Sequence, residues 1–170
     1  FPFRVSRWAE SPGAFNSLDD FSIFDDVLFY EFNRRKLDRN TGLEVLARIS
    51  EIGTSAISYQ AFSKPLSMSK ETAMRYLGAL GDAFLLATIS SYDTGRGRVS
   101  LKKDKKLAWI DPGLGDLGPW IKASPASGLP DRVEWAVGRD LLAKYESRLF
   151  EGVYAPRSVF HWKSNPGNEI

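Results

Sequence analysis

The chain has 170 residues, 43% hydrophobic and 26% charged, the make-up of a soluble globular protein with room for one large domain or two small ones. Its 23 basic and 21 acidic residues leave a net charge of +2, so no whole-molecule field selects a partner and any nucleic-acid signal must be local. Cysteine is absent and His161 is the only histidine, which excludes disulfides, thiolate nucleophiles, Cys-ligated zinc and His-rich metal sites, and leaves a Ser-His-Asp triad only through that one residue.

No apolar run approaches the roughly 20 residues of a membrane span. Phe1-Pro2-Phe3-Arg4 lacks the pattern of a secretory leader, and a reducing cytoplasm is the expected compartment. There is no initiator Met, and Glu169-Ile170 reads as the opening of a strand. The chain is therefore expected to be a fragment, or the ordered part of something longer.

Residues 1–19 hold Pro2, Pro12, Gly13 and scattered aromatics without a period, and read as an irregular arm. Over residues 20–37 the apolar positions Phe21, Phe24, Val27, Leu28 and Phe32 recur at three- and four-residue steps, which predicts an amphipathic helix. Asp19 or Asp20 would cap it, and Arg34, Arg35 and Lys36 suit its C-terminal end. A second helix is predicted over residues 41–52 on Leu43, Leu46, Ile49 and Ile52, stopped by Gly53. Ser58 would cap a short helix over residues 59–63, ended with the help of Pro65.

Ser69 then caps a helix over residues 70–82. Its buried stripe is expected at Ala73, Tyr76, Leu77 and Leu80, with Lys70, Glu71, Arg75 and Ala79 facing out. Residues 84–89 have the length and composition of a strand, residues 92–97 read as a turn, and residues 98–101 as a return strand. A separate short strand is predicted over residues 106–110, ending in Asp111-Pro112-Gly113. Residues 112–130 are rich in Pro, Gly and Ser and read as a linker. A long helix follows over residues 131–147, its apolar side at Val133, Val137, Leu141, Leu142 and Tyr145. Residues 157–163 form a strand, and residues 164–168 a tight turn.

Helix pair, capped helix and basic hairpin, in that order, are the parts of a winged helix-turn-helix. On the capped helix, Ser69, Lys70, Thr72 and Arg75 can meet phosphates or bases, whereas Glu71 repels phosphate. Residues 96–106 carry Arg96, Arg98, Lys102, Lys103, Lys105 and Lys106 against one acid, Asp104. Six such charges predict a salt-dependent, sequence-tolerant attraction to a nucleic-acid backbone. A solvated surface turn, or a patch that docks an acidic partner, is the plainer reading. No GxxxxGK[ST] segment occurs, so no nucleotide site is expected.

Glu134, early in the last helix, is the one candidate catalytic carboxylate. A metal-dependent nuclease would use it with further acids to hold Mg²⁺ and activate water. A first-turn glutamate stabilised by the helix dipole is the preferred alternative. Trp109, Trp120, Trp135 and Trp162 are expected to fill cores.

The segments FDDVLFYEFNRRKL, SKETAMRYLGALGDAFLL, KLAWIDPGL, VEWAVGRDLL and FHWKSNPGNEI occur in an order that resembles the C-terminal region of archaeal and bacterial AAA-type ATPases. In that group an ATPase domain precedes a winged helix, which precedes a module similar to PD-(D/E)XK nucleases. The resemblance covers residues 20–170, and Asp111-Pro112-Gly113-Leu114 resembles the group's Asp-x-Gly-Leu turn. It implies that ATP and Mg²⁺ belong to an ATPase domain outside this chain. It also places Glu134 where the nuclease-like fold has its first-helix acid, with the remaining acid and lysine falling after Ile170.

The expectation is thus an α+β chain: an irregular arm (1–19), a helical arm plus winged helix (20–111), a linker (112–130) and an incomplete α/β nuclease-like module (131–170). Its leading function is DNA binding as the accessory region of an ATPase, with no cofactor or metal site in this chain and no membrane contact. The alternatives are a protein-interaction module, docking on the ATPase domain or a neighbouring subunit and open to homo-oligomers, and the remnant of a metal-dependent nuclease.

Overall fold

A computed structural model describes residues 18–116, 128–145 and 159–161. Residues 1–17 of the expected arm (1–19), Trp120, Trp162, the turn at 164–168 and Glu169-Ile170 lie outside the described residues. The architecture is α+β, built on helices and a small antiparallel sheet. Helix α1 (Leu18–Arg34) includes Asp19 and Asp20 in its first turn, so neither stands outside as its cap. Leu28 and Phe32 enter the core, while Val27 stays at the surface. The side chains of Phe21 and Phe24 lie outside the described residues.

Helix α2 (Arg39–Ile52) begins two residues before the expected start because Asp38 caps it, its carboxylate accepting from the Thr41 amide. Gly53 ends it at φ 59°, a left-handed conformation that suits glycine. Helix α3 (Tyr59–Ser63) is capped by Ser58, and helix α4 (Lys70–Asp82) by Ser69, both as expected. Helix α4 buries Ala73, Tyr76, Leu77 and Leu80, but Ala79, expected outside, is buried too. The reason is that α4 contacts α1, α2, α3 and the sheet. Ala79, fully buried on its C-terminal half, is small enough to sit among them.

Strand β1 (Leu86–Asp93) pairs antiparallel with β2 (Arg98–Trp109). The two separate short strands expected over 98–101 and 106–110 are one long strand. It is interrupted in register, not in continuity. Ser91 pairs with Ser100 and Ser90 with Lys105, so residues 101–104 form a wide bulge without cross-strand partners. Ile57 adds a single antiparallel bridge on the far side of β2, its amide and carbonyl both bonded to Lys105 at 2.8 Å. His161 adds a parallel bridge to Ser91.

Helix α5 (Leu129–Tyr145) buries only Leu142 of its expected apolar side, together with Trp135, a side chain expected to fill a core. Trp135 and Leu142 are buried, whereas Leu129, Val133, Val137, Leu141 and Tyr145 are all exposed, from 41% to 74%. Trp135 joins the main core with Leu107 and Trp109, and Leu142 packs with Ala87, Ile110 and Val159. Packing therefore crosses the expected linker. The bulkiest side chain, Trp135, sets the docking face, and the stripe at four-residue spacing lies opposite.

Candidate nucleic-acid interface

The β1–β2 hairpin and the start of α4 hold every residue expected to touch a phosphate. At the start of α4 the Ser69 hydroxyl accepts from the Thr72 amide at 3.0 Å and lies 3.0 Å from the Thr72 hydroxyl. Both hydroxyls thus serve the cap. One Arg75 nitrogen donates to the Arg35 carbonyl at 3.1 Å, tying α4 back to the end of α1. Lys70, Glu71, Met74 and Arg75 form the exposed surface of this helix. Its chemistry is mixed, with one acid, one thioether and two cations.

Along the hairpin the six cations divide into two groups. Lys105 is 5% exposed and Lys106 9% exposed, a correction to their expected place on a solvent-facing wing. Successive side chains of a strand point to opposite faces; α5 packs against β2 and takes up Lys106, while the bulge folds its own carbonyls over the Lys105 ammonium. The Lys105 ammonium donates to the carbonyls of Ser100 (2.9 Å) and Lys103 (3.0 Å), closing the two sides of the bulge. Burial pushes its pKa down, against the opposing charge of Asp104. Lys106 donates to Glu134 at 2.7 Å.

Lys103 is exposed but pairs with Asp93 at 3.3 Å. Burial alone would raise the Asp93 pKa. The hydrogen bond and charge of Lys103, with the amide and charge of Arg96, nevertheless carry it below its ordinary value. Arg96, Arg98 and Lys102 remain: all three are exposed, and none enters an ion pair among the described residues.

Two braces that the sequence did not reveal hold this arrangement. His161 Nε2 lies 3.0 Å from the Asp104 carbonyl, which can only accept, so Nε2 carries the proton of that bond. Its amide donates to Ser90 and its carbonyl accepts from Tyr92. Asp131, at the start of α5, accepts from both the amide and the hydroxyl of Thr54 at 3.2 and 3.1 Å. That pair locks α5 onto the turn that ends α2.

Glu134, the candidate metal-binding acid, faces an ammonium instead of a second carboxylate. Among the described residues no three of His, Cys, Asp and Glu converge to hold a metal ion. Among the described residues no helix is long and apolar enough to cross a membrane.

A family model described as "Domain of unknown function (DUF8612)" matches residues 22–117, more than half of the chain. The chain belongs to the DUF8612 family. The matched segment runs from α1 through the hairpin to the 3-10 turn at Pro112–Asp116, so the DUF8612 unit contains the whole basic hairpin, and α5 lies beyond it. No curated protein and no solved structure matches the chain.

Proposed function

We propose that the DUF8612 unit is a winged helix-turn-helix that contacts a nucleic-acid backbone through the tip of its β-hairpin, as the accessory region of an AAA-type ATPase. The order α2, Ile57 bridge, α3, α4, β1, β2 supports the winged-helix reading, with α3 and α4 as the helix pair and β1–β2 as the wing. The observation that carries the functional reading is the segregation of charge on that wing. Lys103, Lys105 and Lys106 are engaged by the protein itself, whereas Arg96, Arg98 and Lys102 project at and beside the tip without carboxylate partners among the described residues.

Three exposed cations outside the protein's own ion pairs make a modest, sequence-tolerant contact rather than a deep electrostatic cleft. The test is titration of a fluorescent duplex at low salt with the wild type and with an R96A/R98A/K102A variant. The reading expects saturable binding that the triple variant weakens about tenfold or more. No binding by the wild type, or an unchanged affinity in the variant, overturns it.

A second reading, self-association, is favoured by the exposed stripe Leu129, Val133, Val137, Leu141 and Tyr145 on α5. Contiguous apolar surface of this kind marks interaction sites. Equal four-residue steps let two antiparallel copies set Leu129 against Tyr145, Val133 against Leu141 and Val137 against itself, the self-complementary pattern of a two-fold interface. Sedimentation of the wild type and Val137→Glu tests it: a dimer that the variant dissociates supports the reading, and a monomer at every concentration removes it.

Neither reading draws on the nuclease-like module expected over residues 131–170, and the Glu134 carboxylate is paired with Lys106.

A further inference from the structure

Arginine and lysine are sorted along the hairpin. The tip carries Arg96 and Arg98 on either side of Gly97, and the four lysines lie toward the base. Gly97 turns the chain at φ 59°, and a Cβ built there would meet nothing within 4 Å. Gly95 is nearly as open, its nearest atom being a carboxylate oxygen of Asp93 at 3.5 Å. The tip is therefore slim, cationic and free of side-chain bulk between its two guanidinium groups.

The surface of α4, in contrast, is poorly equipped to read base edges. Ser69 and Thr72 serve the cap, Arg75 donates to the Arg35 carbonyl, and Glu71 repels phosphate. Discrimination between sequences, where this protein makes any, then falls to the tip.

A tip of this shape fits one feature of duplex DNA. The minor groove is about 6 Å wide and too narrow for a helix. In A·T-rich tracts it narrows further, and its deepened negative potential draws arginine inward. Arginine suits that position better than lysine, because its guanidinium is more weakly hydrated and loses water at less cost. We infer that Arg96–Gly97–Arg98 enters the narrowed minor groove of A·T-rich DNA, so that the protein prefers such sequences by groove shape. This inference rests on the wing reading above.

The experiment uses the full chain and two fluorescent duplexes of equal length, one an A-tract and one G·C-rich, at a single low salt concentration. The wild type and an R96K/R98K variant, checked for fold by circular dichroism, are titrated with each. The wild type is expected to bind the A-tract several-fold to about tenfold more tightly. The lysine variant keeps the charge and should retain its affinity for the G·C-rich duplex while losing the preference. Equal affinity of the wild type for the two duplexes, or a preference that survives R96K/R98K, overturns this inference and leaves backbone binding standing. Absence of binding to either duplex overturns both.

Discussion

Lys106 of β2 and Glu134 of α5 meet at 2.7 Å, so that a lysine expected to bind phosphate and the one candidate catalytic carboxylate neutralise one another. Lys106 is nearly buried, whereas the Glu134 side chain is 47% exposed. The pair ties the last helix to the base of the hairpin, beside the core that Trp135 of the same helix shares with α2 and α4. Glu134→Gln should destabilise the protein by about 1 kcal/mol, discounted from a fully buried pair for the solvent around the carboxylate. A double-mutant cycle with Lys106→Met, followed by urea unfolding, should show coupling of about 0.5 kcal/mol or more. Additive effects would mean that the contact does not hold α5 in place.

Asp131 makes the second attachment of α5, through two hydrogen bonds to Thr54. Asp131→Ala removes both and leaves the Thr54 amide without its acceptor, at a cost of about 1–3 kcal/mol. The same substitution should loosen Trp135, which sits one helical turn away in the main core. Tryptophan fluorescence that shifts to the red before global unfolding would report this. A single unchanged unfolding transition would contradict it.

Gly42 is required for packing rather than for backbone freedom. A Cβ at this position would lie 2.4 Å from a ring carbon of Phe32, a buried side chain that also stacks edge-on against Tyr76 at 5.4 Å. Gly42→Ala should lower stability by about 1–3 kcal/mol through overpacking. Gly78→Ala, where nothing lies within 4 Å, should be tolerated far better, and equal losses at the two sites would refute the packing argument.

Acid should weaken the hairpin through Asp93. Its folded pKa lies below the ordinary value, with Lys103 and Arg96 outweighing the opposing effect of burial. A carboxylate with a lowered folded pKa stabilises the fold above its unfolded pKa of about 3.9. That stabilisation disappears as pH falls through the folded value. Wild-type stability should therefore drop more steeply than that of Asp93→Asn below about pH 4, with the gap between them closing. A constant gap from neutral to acid pH would show that the ion pair contributes nothing.

Much of the fold is legible in the sequence where the determinant is local. Ser58, Ser69 and Gly53 mark their helix ends because capping needs only residues three or four apart. The facing of α5 is half legible: Leu142 and Trp135 are buried as expected, but the rest of the expected apolar side is exposed, because two stripes compete on that helix. Val133, Val137, Leu141 and Tyr145 make the stronger pattern, but Trp135 and Leu142 meet the cavity formed by distant residues such as Ala87 and Leu107.

The interface divides in the same way. A run of cations over residues 96–106 is plain in the sequence. Which of them reach solvent depends on the bulge at 101–104, and that is fixed by contacts from Ile57 and His161, far along the chain. Local charge counting therefore overstates the wing twofold.

The salt dependence of duplex binding tests the central claim most directly, because it counts phosphate contacts. Arg96, Arg98 and Lys102, exposed and without ion-pair partners among the described residues, predict a slope of about −2.7 in log affinity against log salt concentration, where six cations would give about −5.4. Removing Arg98 alone should make the slope shallower by about one unit. A slope near zero, or one that Arg98→Ala leaves unchanged, would contradict the account.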